Sequence, residues 1–189
     1  MKKTMRFLLA AAFALGATSA LAQAQNAPPK PDVSKQVGGW LVRCYPVQSE
    51  SPCNIFELLA QKKTGNRVMS ISFAYAPKAD KYVAQIAVPL GVDLKKGLVI
   101  KAGEYTSPVM QFRRCDRGGC YVEGLIDSAI VDALSQNGDA AKATISSVEG
   151  RSVDISFDLK GFADARSQMA ELAKQKATNP PPQAEAPAQ

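Results

Sequence analysis

Along residues 151–159, Val153, Ile155, Phe157 and Leu159 alternate with Ser152, Asp154, Ser156 and Asp158. Alternate side chains of an extended chain point to opposite faces, so this period of two predicts a strand with one core face and one wet face. Met69, Ile71, Phe73 and Tyr75 repeat the pattern against small or polar neighbours. So do Tyr82, Ala84, Ile86 and Val88, and Trp40, Val42 and Cys44. Residues 53–60, 98–102, 107–115, 119–125 and 141–148 are further strand candidates. Turn-forming residues punctuate the gaps, as in Thr64-Gly65-Asn66, Pro89-Leu90-Gly91, Arg117-Gly118-Gly119 and Glu149-Gly150. Short strands with turns at roughly ten-residue intervals predict a mainly β chain, an antiparallel sandwich or barrel.

The period changes twice. Asp127 is placed to cap a short helix reaching about Gln136, with Ile130, Val131 and Leu134 on one side and Gly138 as a stop. Over 162–176, Phe162, Ala165, Met169, Leu172 and Ala173 recur at helical spacing while Arg166, Glu171 and Lys174 fall nearer the rim. That pattern predicts an amphipathic helix packed on the sheet.

The ends differ from the middle. Lys2, Lys3 and Arg6 precede the apolar run from Phe7 to Gly16, and Ala20-Leu21-Ala22 follows as a small-x-small cleavage pattern, with Ala22-Gln23-Ala24 as a second. This is the grammar of a secretory signal peptide at 1–22, and the run is too short to span roughly 30 Å of hydrocarbon. Residues 23–37 carry three prolines and little to bury, and read as a flexible leader. Residues 177–189 hold Pro180, Pro181, Pro182 and Pro187 without an aromatic, and read as a disordered tail. One domain, 38–176, lies between, and no transmembrane segment is expected after signal cleavage.

Charge narrows the functions further. The chain has 23 Lys and Arg, 17 Asp and Glu, and no His. Removing the signal takes three basic residues and leaves 20 against 17, a net +3 typical of a soluble exported domain. Without His there is no Ser-His-Asp or Cys-His pair and no imidazole metal site. Weak net charge, export and the lack of interleaved aromatic and basic residues exclude nucleic acid as a partner. No cofactor or metal is expected.

Four cysteines in an exported chain predict disulfides. The short spacings favour Cys44 with Cys53 and Cys115 with Cys120, closing loops that hold Pro46 and Pro52, and Gly118 and Gly119. A zinc site is the rival, but the first pair is spaced too widely for the usual two-to-four-residue gap. A redox role lacks the Cys-x-x-Cys motif.

An ordered series of motifs runs through the domain: Gly39-Trp40-Leu41-Val42-Arg43-Cys44, Cys53, Val88-Pro89-Leu90-Gly91-Val92 and Gly97. It continues with Phe112-Arg113-Arg114-Cys115, Gly119-Cys120, and Val153-Asp154-Ile155-Ser156-Phe157-Asp158-Leu159-Lys160-Gly161-Phe162. Over residues 38–173 the series resembles the invasion-associated locus B family of exported alphaproteobacterial proteins. The resemblance implies an immunoglobulin-like antiparallel β-sandwich in the bacterial envelope and a link to host-cell entry in pathogenic members. It carries no catalytic site.

Individual residues have bland and functional readings. Trp40, the only tryptophan, heads an alternating strand and is expected in the core rather than stacked on a sugar. Lys62, Lys63 and Arg67 flank a turn and read as hairpin-tip charge, and Pro89 and Gly91 as turn residues. Arg113, Arg114 and Arg117 surround the second cysteine loop, where a closed turn can present guanidinium groups to carboxylate or phosphate. Strand alternation places Arg114 on the side of Phe112, at the rim of the core, and leaves Arg113 and Arg117 as the exposed pair. Asp127 with Asp132, or Glu104 with Glu123, are the carboxylate pairs a glycosidase would need brought together.

The resulting expectation is a non-enzymatic exported protein, periplasmic, outer-membrane associated or secreted. It would bind a protein or envelope component, with Arg113, Arg117 and Arg114 as the candidate contact. The alternatives are a small carboxylate-dependent hydrolase acting on glycans and an envelope-stress factor without a tight ligand.

Overall fold

The alternating segments close into two antiparallel sheets. A computed structural model describes residues 29–180. The signal segment at 1–22, the start of the leader and the end of the tail lie outside the described residues. The first sheet takes β1 (Val33–Val37), β2 (Trp40–Cys44), β3 (Cys53–Ala60), β4 (Arg67–Ala76) and β5 (Lys81–Val88) in chain order, then β9 (Gly119–Ile126) and, at the edge, β8 (Phe112–Asp116). The second sheet has the order β11 (Ser152–Asp158), β10 (Ala140–Ser146), β6 (Leu98–Ala102) and β7 (Tyr105–Thr106). Two helices complete the fold: α1 (Ser128–Gln136), capped by the Asp127 side chain on the Ala129 N–H, and α2 (Phe162–Thr178). The mainly β architecture with a short and a C-terminal helix is the expected one.

Four expectations change in detail. The stretch read as leader ends in a strand: β1 pairs with β2 over its whole length, Val33 opposite Cys44 and Val37 opposite Trp40. Its middle three positions are exposed, so hydrophobicity does not reveal it; backbone pairing through the Gly38-Gly39 turn holds it. The segment 107–115 is not one strand. Pro108 has no N–H for a ladder, Met110 bridges to Leu98 of the second sheet, and pairing with β9 begins only at Phe112. Val153 is 40% exposed where the edge strand β11 begins, while Ile155 and Phe157 are buried. Helix α2 runs two residues further than 176, ending at Thr178.

One hydrophobic cluster joins both sheets and both helices. Trp40 is its joint. Fully buried on β2, it meets Phe73 of β4 at 6.1 Å, Phe157 of β11 at 6.4 Å and Phe162 of α2 at 4.9 Å between ring centroids. Its indole N–H donates to the Asp158 carbonyl at 3.0 Å. A backbone contact reinforces the same place. Gly39 N–H donates to the Lys160 carbonyl at 3.0 Å, and Gly38 (φ +58°) and Gly161 (φ +81°) face each other so closely that a Cβ on Gly161 would stand 2.7 Å from the Val37 carbonyl oxygen. Only glycine fits both the dihedral angle and the space.

Arg166 bolts the helices to the first sheet. From α2 it donates to the Tyr82 hydroxyl at 2.9 Å and to Ser135 Oγ at 3.1 Å, and pairs with Asp132 of α1 at 2.7 Å. This rim residue is therefore structural.

Candidate functional site

Cys44 opposes Cys53 across β2 and β3, and Cys115 opposes Cys120 across β8 and β9. Each pair is bonded, with Cα atoms 4.0 and 4.1 Å apart. The first bridge is buried in the core; the second lies at the rim, with Cys120 buried and Cys115 exposed. Closing the β8–β9 turn fixes the backbone that carries the three arginines.

The arginines do not act as one patch. The β8–β9 register slips between Phe112 and Arg114: Phe112 faces Val122, and Arg114 faces the very next residue, Tyr121. This bulge at Arg113 breaks the alternation. Arg114 therefore does not share the Phe112 side, as strict alternation predicts, but lies on the outer face. There it is fully engaged, pairing with Glu123 at 2.9 Å and with Asp116, its guanidinium 3.8 Å from the Tyr121 ring centroid. Gln85 also donates to Glu123 at 2.8 Å. Hydrogen bonds from Arg114 and Gln85 hold the Glu123 carboxyl below the ordinary carboxylate range.

Arg113 and Arg117 are exposed, as expected, but they diverge. Arg117 lines a shallow depression with Arg67, Pro89 and Leu90, where Arg67 donates to the Gly118 carbonyl. Arg67 is thus not idle hairpin charge; it ties the β4 end to the cysteine loop. Arg113 lines a separate groove of about 310 Å³ with Val109, Met110, Leu125, Ile126 and Ile130. Val109 and Leu125 are 52% and 65% exposed, so the groove is largely apolar and open, with Arg113 and the already engaged Glu123 and Asp127 as its charged margin.

Three of the four carboxylates that the sequence offers as pairs have other work. Asp127 caps α1, Asp132 is bound by Arg166, and Glu123 is held ionised by Arg114. A different pair meets where the two sheets adjoin. On β3 the core-facing series is Cys53, Ile55, Glu57 and Leu59, so Glu57 is carried toward the interior and is half-buried. The Glu57 and Asp158 side chains both lie within 3.8 Å of where a Cβ on Gly39 would stand. They border an open cleft with Asp139, Ser156 and Lys160. Glu57 Oε2 is buried without a hydrogen-bond partner. Burial pushes the Glu57 carboxyl up to about 7, a hydrogen bond from the Asp158 backbone opposes the rise, and the Asp158 charge adds to it. A charged residue inside an apolar alternating series is the sequence signal for this site. Asp158 itself accepts the Lys160 N–H at 2.7 Å, a turn-forming role at the end of β11.

A group held above its ordinary value keeps its proton more tightly folded than unfolded. Stability should therefore fall as pH rises from about 4.5 to about 7, and the whole penalty should be present above that. Glu57→Gln is expected to flatten this decline. Allowing for solvent screening of a half-exposed group, the gain at pH 8 is about 1 kcal/mol, roughly 3 °C in Tm. Thermal melts of both proteins from pH 4.5 to 8 measure it, and parallel profiles would reject the assignment.

Among the described residues, no group of three or more His, Cys, Asp and Glu is placed to hold a metal, and no helix is long and apolar enough to cross a membrane. Fold and site together define a class: an antiparallel β-sandwich, stapled by two disulfides and braced by a C-terminal helix. Residues 40–170 match the model of the family described as invasion associated locus B (IalB) protein, and the chain belongs to that family. Invasion protein B homologs from Brucella abortus strains 2308 and 9-941 are each 25% identical over 135 residues, covering 71% of this chain and 78% of theirs. The crystal structure of invasion associated protein B from Bartonella henselae superposes with a TM-score of 0.65 at 18% identity, over 76% of this chain and 99% of that one. That likeness shows a shared fold.

Proposed function

We propose that this protein is a non-enzymatic exported member of the invasion associated locus B family that binds another macromolecule of the cell envelope. The observation that carries this reading is the β8–β9 end, where the rim disulfide fixes a hairpin that carries two exposed arginines, Arg117 in the turn and Arg113 on β8 beside an open apolar groove. A closed turn loses less conformational freedom on binding, so an acidic partner group is held at lower entropic cost. The relatives named as invasion proteins lend support to a role at the cell surface or in the periplasm, and a part in host-cell contact belongs to the same proposal.

Arg113→Ser with Arg117→Ser is expected to leave thermal stability nearly unchanged, because neither side chain has a structural partner among the described residues. Retention of the purified double variant on envelope membranes should drop several-fold at low salt, with the difference shrinking as ionic strength screens the charges. Equal retention of parent and variant at every salt concentration would overturn the arginine assignment. A hydrolytic reading has one specific place to stand, the Glu57–Asp158 cleft. Glu57→Gln separates the two, since it should leave envelope retention untouched.

A further inference from the structure

Strand β9 is covered on one side by β5 over Cys120–Ile126, but on the other side β8 reaches only as far as Val122. The edge from Glu123 to Ile126 has no strand partner among the described residues. The lane is empty because the chain before Phe112 turns away. Met110 exchanges both backbone hydrogen bonds with Leu98 of the second sheet, at 2.8 and 2.9 Å, and Pro108 cannot donate to a ladder. The vacated lane is the apolar groove lined by Val109, Met110, Leu125 and Ile126, with Arg113 at its head.

Exposed edges normally carry a lysine, a proline or a bulge that discourages pairing. The β8 edge has its bulge at Arg113. Glu123–Ile126 has none of these, and its one charge, Glu123, is tied to Arg114 and Gln85 on the outer face. At the centre stands Gly124, with φ +141° and nothing within 4 Å of where a Cβ would be. Glycine inside a strand marks a place another backbone can approach closely. Leu125, 65% exposed, supplies apolar contact beside it.

We infer that this half-open edge accepts an extended peptide segment of a partner protein, which adds as a short strand in the lane β8 leaves empty. This rests on the binding reading above and names its partner chemistry. The segment has apolar side chains at alternate positions, on the face it shares with exposed Leu125, and an acidic residue at the end that meets Arg113. Main-chain hydrogen bonds to residues 123–126 supply the affinity, and the alternate side chains the choice of sequence.

The test uses the mature chain with both disulfides intact and the synthetic peptide acetyl-Val-Thr-Val-Thr-Val-Asp-amide, whose C-terminal end meets Arg113 when it runs antiparallel to β9 as β8 does. Its addition should shift the backbone amide resonances of 123–126 and slow their hydrogen exchange. A second peptide with every other amide N-methylated keeps the side chains but cannot pair, and should bind at least roughly tenfold more weakly. Leu125→Lys, an exposed substitution that leaves the fold intact, should weaken the first peptide by a similar factor. Equal binding of the two peptides, shifts confined to the Arg67–Arg117 depression, or no shift at millimolar peptide would each overturn strand addition. Protection of 123–126 that grows with protein concentration alone would show a second copy of this chain as occupant, and also overturns it. If the peptide fails while the arginine variant still loses envelope retention, the binding reading stands without strand addition. If the peptide pairs while retention is unaffected, the edge stands without the arginine contact.

Discussion

Replacing Trp40 with alanine is expected to lower stability by about 4 kcal/mol, roughly 10 °C in Tm. The side chain is fully buried and touches an aromatic ring from the first sheet, the second sheet and α2. Its removal leaves a cavity at the one point where all three layers meet, so little can collapse to fill it. It also orphans the Asp158 carbonyl that accepts the indole N–H. Trp40→Phe separates the two effects, restoring most of the apolar volume without the donor, and should cost about half as much. Urea titrations of the three proteins measure this; a loss below about 1 kcal/mol for the alanine variant would show that Trp40 is not the joint.

Removing the core disulfide comes next. Cys44→Ala with Cys53→Ala should cost about 3 kcal/mol, and Cys115→Ala with Cys120→Ala about 2 kcal/mol, because the first bridge closes the longer loop. The buried pair also loses two packed sulfur atoms, while Cys115 lies at the surface, so packing widens the gap in the same direction. Alanine is the right replacement, since serine would bury unpaired hydroxyls. Chemical denaturation of both double variants, beside the parent with and without reductant, gives the ranking. A larger loss from the rim bridge would mean that the β8–β9 turn, not the β2–β3 pair, anchors the first sheet.

Much of the fold is legible in the sequence itself. Period-two alternation at Met69–Tyr75 and Tyr82–Val88 states which side chains go inward, and Met69, Ile71, Phe73, Tyr75, Tyr82, Ala84, Ile86 and Val88 are all buried. Asp127 and the spacing of Ile130, Val131 and Leu134 mark α1 to within a residue, because capping and helical periodicity are local. The cysteine pairings are readable for the same reason, each bridge joining residues directly opposite across a hairpin. Even the motif series has a physical cause. Gly39-Trp40 and Gly161-Phe162 lie far apart in the chain yet form one contact, the hairpin turn against the start of α2.

What alternation cannot report is where a strand stops being paired, or what meets across a seam. β1 escapes a hydrophobicity reading because only its end valines, Val33 and Val37, pack against the core, and its exposed middle is held by backbone pairing. Strict alternation misplaces Arg114 because one bulged residue inverts every face beyond it, and a bulge depends on the partner strand. The Glu57–Asp158 pair and the open edge at Glu123–Ile126 arise only where separate strands come together. Local sequence determined which residues face inward and which turns close; the meeting of distant strands decided which charges are buried and which edge is left bare.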